Sequence, residues 1–318
     1  MRAVVASESP VWISSFIEFG GYSAMLARLE ELLGMEWREE QHDDQLLHEL
    51  LRCFVALATT EIGKGALQSR APSPFKELVE LLFSEKKPGD LSTRKLMVDL
   101  LAILFELELP DKAGVTLQRD TSITKPSQFK TSSCSRIAKA AGINSAPSLL
   151  VTLLHNPRDP SVEAVVDFIT ASHTPRPFKT YLLELSGVCR DYFWIFCHSQ
   201  NRFWRLEDVD QEKVSGPKVP GGMTGGVEFE AMGYLTSHMK LINMIGHSLL
   251  ESMAAYEFHA NLFASGIERI LQTLRRSSQH YYSPMHLELS RYLSLAHHSK
   301  YLLPADLLVW LAPAIGAT

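Results

Sequence analysis

Apolar residues recur every three or four positions along almost the whole chain, and that spacing admits amphipathic helices and little else. In Gly20–Gly34 the residues Tyr22, Met25, Leu26, Leu29, Leu32 and Leu33 draw one stripe, with Gly34 as its stop. Asp43 and Asp44 then precede Leu46, Leu47, Leu50, Leu51, Phe54, Val55, Leu57 and Ala58, placing acids at the positive end of a helix dipole. That helix is apolar on more than one face, as befits an element covered on two sides. A short helix is predicted from Ile62 to Gln68, another over Pro74–Ser84 capped by Ser73, and then a second long apolar rod. Ser92 or Thr93 caps this rod, and Leu96, Met97, Leu100, Leu101, Ile103, Leu104 and Leu107 fill it. Leu57 and Leu104 hold similar places 47 residues apart, as do Ile245 and Leu295 at 50. A repeat of that length in an all-helical chain predicts a solenoid, whose units bury their apolar faces only against their neighbours.

Two stretches break the pattern. Arg119–Ser145 is rich in Ser and Thr and sets Arg119, Lys125, Lys130, Arg136 and Lys139 against Asp120 alone, which reads as a flexible basic insert with a short helix near Ser135–Ala141. Its charge run is solvated surface, or at its sharpest a phosphorylation-regulated or acidic-partner contact. The second stretch, Val209–Gly226, carries Pro217, Pro220 and a glycine content too high for a helix. The chain therefore divides into first helical units over 1–111, an insert over 112–176 with a helix at Ser161–Thr170, and later units over 177–318. In this last part helices are expected at Phe178–His198, Glu228–His247, Met253–Ala264, Ile267–Arg276, Pro284–His298 and Ala305–Trp310.

With 46% hydrophobic and 21% charged residues the bulk of the 318 residues folds. A net charge of −5 argues against a chain-wide nucleic-acid or anionic-membrane surface. No apolar run approaches the roughly 20 residues that cross a bilayer, so no membrane span is expected. Met1–Pro10 is poor material for a secretory signal, which leaves the cytoplasm as the expected compartment.

Candidate chemistry is sparse. Cys189, Cys197 and His198 offer metal-ligand atoms, but eight residues of helix separate the cysteines and no second pair completes a tetrahedral site, so buried structural cysteine is the better reading. Gly221–Gly226 shares only its glycine content with a phosphate loop and reads as a flexible connection. Tyr192, Phe193, Trp194, Phe196, Phe203 and Trp204 read as core packing ahead of a base-stacking platform, because cations do not interleave them throughout and the chain is acidic. No nucleophile elbow or HExxH motif appears, and the expectation is a protein that is not an enzyme, with no cofactor and no metal.

Three runs carry a resemblance: Val11–Phe16 with its Trp12, Gly21–Leu33, and His48–Gly63. Tyr234–Ile245 and Phe258–Arg275 add a Leu-Ile-Asn helix and a Gly-hydrophobic corner. Together they resemble the N-terminal regulatory region of diaphanous-related formins, with Gly226–Phe229 most similar to fungal members. The resemblance spans about Val11–Leu109 and Pro177–Arg291. It implies an armadillo-like helical solenoid with two irregular inserts, whose concave face binds the amphipathic helix from a formin C-terminus and so holds actin assembly in check. A Rho-family GTPase then displaces that helix, actin itself is reached only indirectly, the location is cytoskeletal, and a homodimer is a further state.

Carried over by position, the partner-helix groove comprises Val55, Thr59, Val98, Ala102, Lys240, Asn243 and Met244. Inter-repeat core is the other reading of Val55, Val98 and Met244. Thr59 and Thr60 stand where many members carry an Asn pair that contacts the GTPase; threonine is shorter and lacks the amide's paired donor and acceptor. Trp12 comes almost at once, so the family's preceding GTPase-binding subdomain is expected to be largely missing from this sequence, and the sequence as it stands, whether fragment or regulatory stub, is expected not to nucleate actin alone. A generic armadillo-type adaptor for an unrelated peptide is the alternative.

Overall fold

The computed structural model describes residues 10–107, 145–155, 176–192 and 197–311. Among these residues every regular element is helical, and the β-type pairing is an isolated parallel bridge between Phe203 and Leu311. The chain groups into two compact units, residues 1–152 and 153–318.

The first unit contains α1 (Pro10–Glu18), α2 (Gly21–Gly34), α3 (Gln45–Leu57), α4 (Glu61–Arg70), α5 (Phe75–Leu82) and α6 (Leu91–Ile103). They form two groups of three that stack like on like: α1 packs on α4, α2 on α5, α3 on α6. Sequence dictates this order, because each helix has its apolar stripe on the side that meets its counterpart. Leu47, Leu51, Phe54 and Leu57 of α3 and Met97, Leu100 and Leu101 of α6 are fully buried. Each such side chain contributes about 1.5–3 kcal/mol of transfer free energy.

Helix α7 (Ala146–Leu154) runs across the division between the units. The second unit contains α8 (Lys179–Tyr192), α9 (Met223–Leu249), α10 (Ala254–Ser265), α11 (Ile267–Arg275), α12 (Ser283–His298) and the single turn α13 (Ala305–Leu308). Here α8 packs on α11 and α9 on α12, with α10 against α9, α11 and α12. Stacked helical groups of this kind are the building principle of a helical solenoid, and the fold is all-α as the periodicity predicts.

Several local expectations are corrected. The cap of α6 is Asp90, whose carboxylate accepts from the backbone N–H groups of Ser92 (3.2 Å) and Thr93 (2.8 Å); an ionised acceptor outcompetes the two hydroxyls. Ser73 does not cap α5 but donates to Glu30 Oε1 at 2.9 Å. The described part of helix α8 is Lys179–Tyr192, and Cys197 and His198 are not helical, so Cys189 and Cys197 do not share a helix. Helix α9 starts at Met223, absorbing glycines expected in the loop. A Cβ on Gly225 would collide with the Pro220 carbonyl, so close approach of the preceding chain explains a glycine in the first turn. Helix α7 was not expected; Ser145 Oγ accepts from Ser148 N–H at 3.3 Å at its start. The helix predicted at Ser161–Thr170 and nearly all of the basic insert lie outside the described residues.

The second unit buries three histidines, His238, His259 and His286, among the described residues. Burial pushes His238 down to about 3 and His259 down to about 4. His286 is pushed to about 4 by burial, against a hydrogen bond with the Ser277 carbonyl that favours its charged form. Unfolding returns all three to the ordinary value near 6.5, so below that pH the unfolded chain binds more protons than the folded one. Stability is complete above about pH 7 and falls as pH drops toward 4, each imidazole costing about 1.4 kcal/mol per pH unit. Urea denaturation is expected to show the second unit far weaker at pH 5 than at pH 7, and His259→Phe to flatten that slope by about one proton. Equal stability at the two pH values would refute this account.

Candidate functional site

Two surfaces hold the residues singled out by sequence, one in each unit. In the first, His48, Arg52, Val55 and Thr59 run down the partly exposed side of α3, and Lys95, Asp99, Ala102 and Glu106 down that of α6 and the turn after it. His48 Nδ1 lies 2.8 Å from Thr93 Oγ1, which fixes the register of the two rods at 45 residues. By that register Val55 stands level with Leu100, about half a turn from Ala102. Both are half-buried, whereas Val98 is fully buried and belongs to the core between the rods. Charge along this face is locally neutralised: Arg52 meets Glu49 at 2.7 Å, Lys95 meets Asp99 at 2.5 Å, and Lys64 meets Glu106 at 2.8 Å.

Thr59 and Thr60 form the corner between α3 and α4, and they differ in kind. Thr60 caps α4: its hydroxyl accepts from Gly63 N–H at 3.0 Å and donates to the Leu57 carbonyl at 2.9 Å. The corner is so tight that a Cβ on Gly63 would strike the Leu57 carbonyl oxygen. Thr59 is exposed and only returns its hydroxyl to the Ala56 carbonyl, at 2.7 Å. Glu61 and Ile62, which sequence reasoning passed over, are exposed beside it. Periodicity carries no signal for Ile62, since it stands four residues before buried Ala66 and could have belonged to the apolar stripe.

The second surface is the seam between α9 and α12. Lys240 is exposed and Met244 half-buried on α9, while Asn243 is buried. Asn243 Nδ2 donates to Glu288 Oε2 at 2.7 Å and to the Glu288 carbonyl at 2.9 Å, again across 45 residues. Glu288 Oε1 accepts from Arg291 Nη1 at 2.7 Å, and Arg291 donates onward from Nε and Nη2 to Gln211 Oε1 at 3.2 and 2.8 Å. A polar relay thus runs from α9 through α12 to the long α8–α9 connection. Asn243 Oδ1 is buried within it without a hydrogen-bond partner.

That connection is stitched to the far end of the unit. Buried Arg275 lies 3.8 Å from the Trp310 ring centre and donates to the carbonyls of Ser199 (3.0 Å) and Asn201. Phe203 is fully buried and its N–H donates to the Trp310 carbonyl at 2.8 Å, and Trp204 lies against His286. Phe203 therefore serves packing, whereas Phe193, Trp194 and Phe196 lie outside the described residues. Cys53 and Cys189 are buried and Cys197 is exposed; burial pushes the Cys189 thiol up to about 12, which leaves it protonated and inert. Among the described residues no group of three or more His, Cys, Asp or Glu could hold a metal ion, and no helix is long and apolar enough to cross a membrane.

These surfaces define a stacked-helix protein whose described residues offer faces and corners. Over 298 residues the chain is 27% identical to GTPase-binding protein rid1 of Schizosaccharomyces pombe, an alignment that covers 93% of this chain and 64% of that protein. No protein-family model and no solved structure matches the chain.

The corner and the seam make separable demands on stability. Thr60→Ala is expected to cost about 1 kcal/mol, the usual value of a lost cap, and Thr59→Ala a few tenths. Asn243→Ala strands Glu288 Oε2 and is expected to cost about 1–3 kcal/mol. Equilibrium denaturation of the three variants tests the ranking, and a Thr59→Ala loss equal to that of Thr60→Ala would reverse the assignment of the cap.

Proposed function

We propose that the chain is a non-enzymatic regulatory module that binds a small GTPase. The observation that carries this reading is the similarity to a GTPase-binding protein over nearly the whole chain, across both helical units. The all-helical build supports it, since stacked helices present long faces suited to protein and helix recognition. The contact falls at the α3–α4 corner, where Thr59, Glu61 and Ile62 are exposed around a rigid turn. An apolar anchor flanked by polar groups on a pre-set corner loses little entropy on binding.

The finer reading adds a Rho-family identity for the GTPase and a formin role: an amphipathic, autoinhibitory helix, for which Val55, Thr59 and Ala102 of the first unit and, separately, Lys240 and Met244 of the second are the candidate contacts. Helix-in-groove recognition calls for half-buried apolar side chains with polar neighbours, which these positions supply. Val98 and Asn243 contribute from beneath by fixing the rods. Actin assembly is then controlled through the helix, in the cytoplasm and at the cytoskeleton.

Isothermal titration of the full chain with GTP-loaded and GDP-loaded Rho-family GTPases is the direct test. Saturable, GTP-dependent binding is expected, with Ile62→Asp and Thr59→Arg each weakening it by about tenfold or more while leaving the denaturation midpoint in place. Absence of binding across a panel of Rho-family members would sink the proposal.

A further inference from the structure

Residues 204–219 of the α8–α9 connection have no buried member, although the connection is anchored at both ends. Phe203 and Pro220 are buried, and the backbone N–H of Lys218 donates to the Tyr281 carbonyl at 2.9 Å. Between these anchors the chain makes two single-turn 3-10 helices, Leu206–Asp208 and Gln211–Lys213, the second closed by its own Asp210–Lys213 ion pair at 2.6 Å. The first turn lies against α12, and the side-chain tie to the seam is Gln211 on Arg291. Beyond Trp204, which lies against His286, the segment has fixed ends, no fully buried side chain and Gln211 as its side-chain tie to α12, so it opens locally at far less cost than the helices beneath it.

We propose that residues 206–218 are a latched strap over the α9–α12 seam, with the Gln211–Arg291 contact as the latch. Opening frees Nε and Nη2 of Arg291, while its Nη1 keeps the tie to Glu288, the residue that Asn243 of α9 also holds. The uncovered face thereby offers two donors, with half-buried Met244 on the neighbouring helix. That set matches the polar rim and apolar anchor of a visiting amphipathic helix. The role of the strap as a cover rests on the helix-docking reading above, whereas the latch itself rests on the geometry alone.

Hydrogen exchange followed by mass spectrometry on the full chain decides the latch. Amides of 206–216 are expected to exchange as a unit, well ahead of α9 and α12. Gln211→Ala is expected to speed that exchange about tenfold or more while leaving both helices as protected as before. Exchange of 206–216 as slow as that of α12, or unmoved by Gln211→Ala, overturns the strap. A second arm titrates a synthetic leucine-rich amphipathic helical peptide onto wild type and Gln211→Ala. Tighter binding to the variant supports the cover. Equal binding overturns the cover, and binding to neither protein overturns the helix-docking reading while exchange still decides the latch.

Discussion

Burial of each helix against its own counterpart one repeat later is the constraint from which the rest of the structure follows. In the first unit α1, α2 and α3 meet α4, α5 and α6 in order, and in the second unit α8 and α9 meet α11 and α12. Most of these helices are too short to be stable in water without tertiary packing. The greasiest pairs, α3 with α6 and α9 with α12, are covered on both sides, and their remaining strips of partial exposure become the candidate faces. Function in such a protein is what the stacking leaves uncovered.

That logic also explains where the sequence was legible and where it was not. A stripe of apolar residues at helical spacing announces itself locally, so α2, α3, α10, α11 and α12 could be placed within a residue or two, while α6 ends at Ile103, short of the expected run through Leu107. Caps were harder, because Asp90, Ser92 and Thr93 are all competent and only the geometry shows that the carboxylate takes the turn. Helix α7 was hidden by the Ser- and Thr-rich basic run before it, although Ser145 with Pro147 two residues on is a sound opening signal. Helix α9 shows the opposite error. Its glycines argue against a helix by propensity, and the tight approach of Pro220 to Gly225 overrides that preference.

The candidate site was legible only in part, for a reason of range. Val55, Thr59, Ala102, Lys240 and Met244 come from the resemblance, with inter-repeat core as the other reading of Val55 and Met244, and the structure leaves Val55, Ala102 and Met244 half-buried and Thr59 and Lys240 exposed. The partners that decide what those positions can do are 45 to 80 residues away: Thr93 for His48, Glu288 for Asn243, Gln211 for Arg291. Nothing in a local window reports such pairs. Arg275 is a similar case, reading as one more basic residue near a helix end until its buried guanidinium is found stacked on Trp310 and bonded to two carbonyls.

Those long-range polar pairs settle a problem that apolar rods cannot settle for themselves. Two leucine-rich helices pack almost as well after sliding by one turn, since an apolar stripe repeats and its burial is non-directional. A buried polar group is directional, and leaving it unpaired costs about 1–3 kcal/mol. Slipping α12 by a turn along α9 would strand Asn243 and half of Glu288 in the core, and slipping α6 along α3 would part His48 from Thr93. The same offset of 45 residues in both units is therefore the register lock of the stack. In the second unit the lock does not stop at the two rods: Glu288 also holds Arg291, and Arg291 holds Gln211, so the groups that set the register are the ones that set the strap upon the seam.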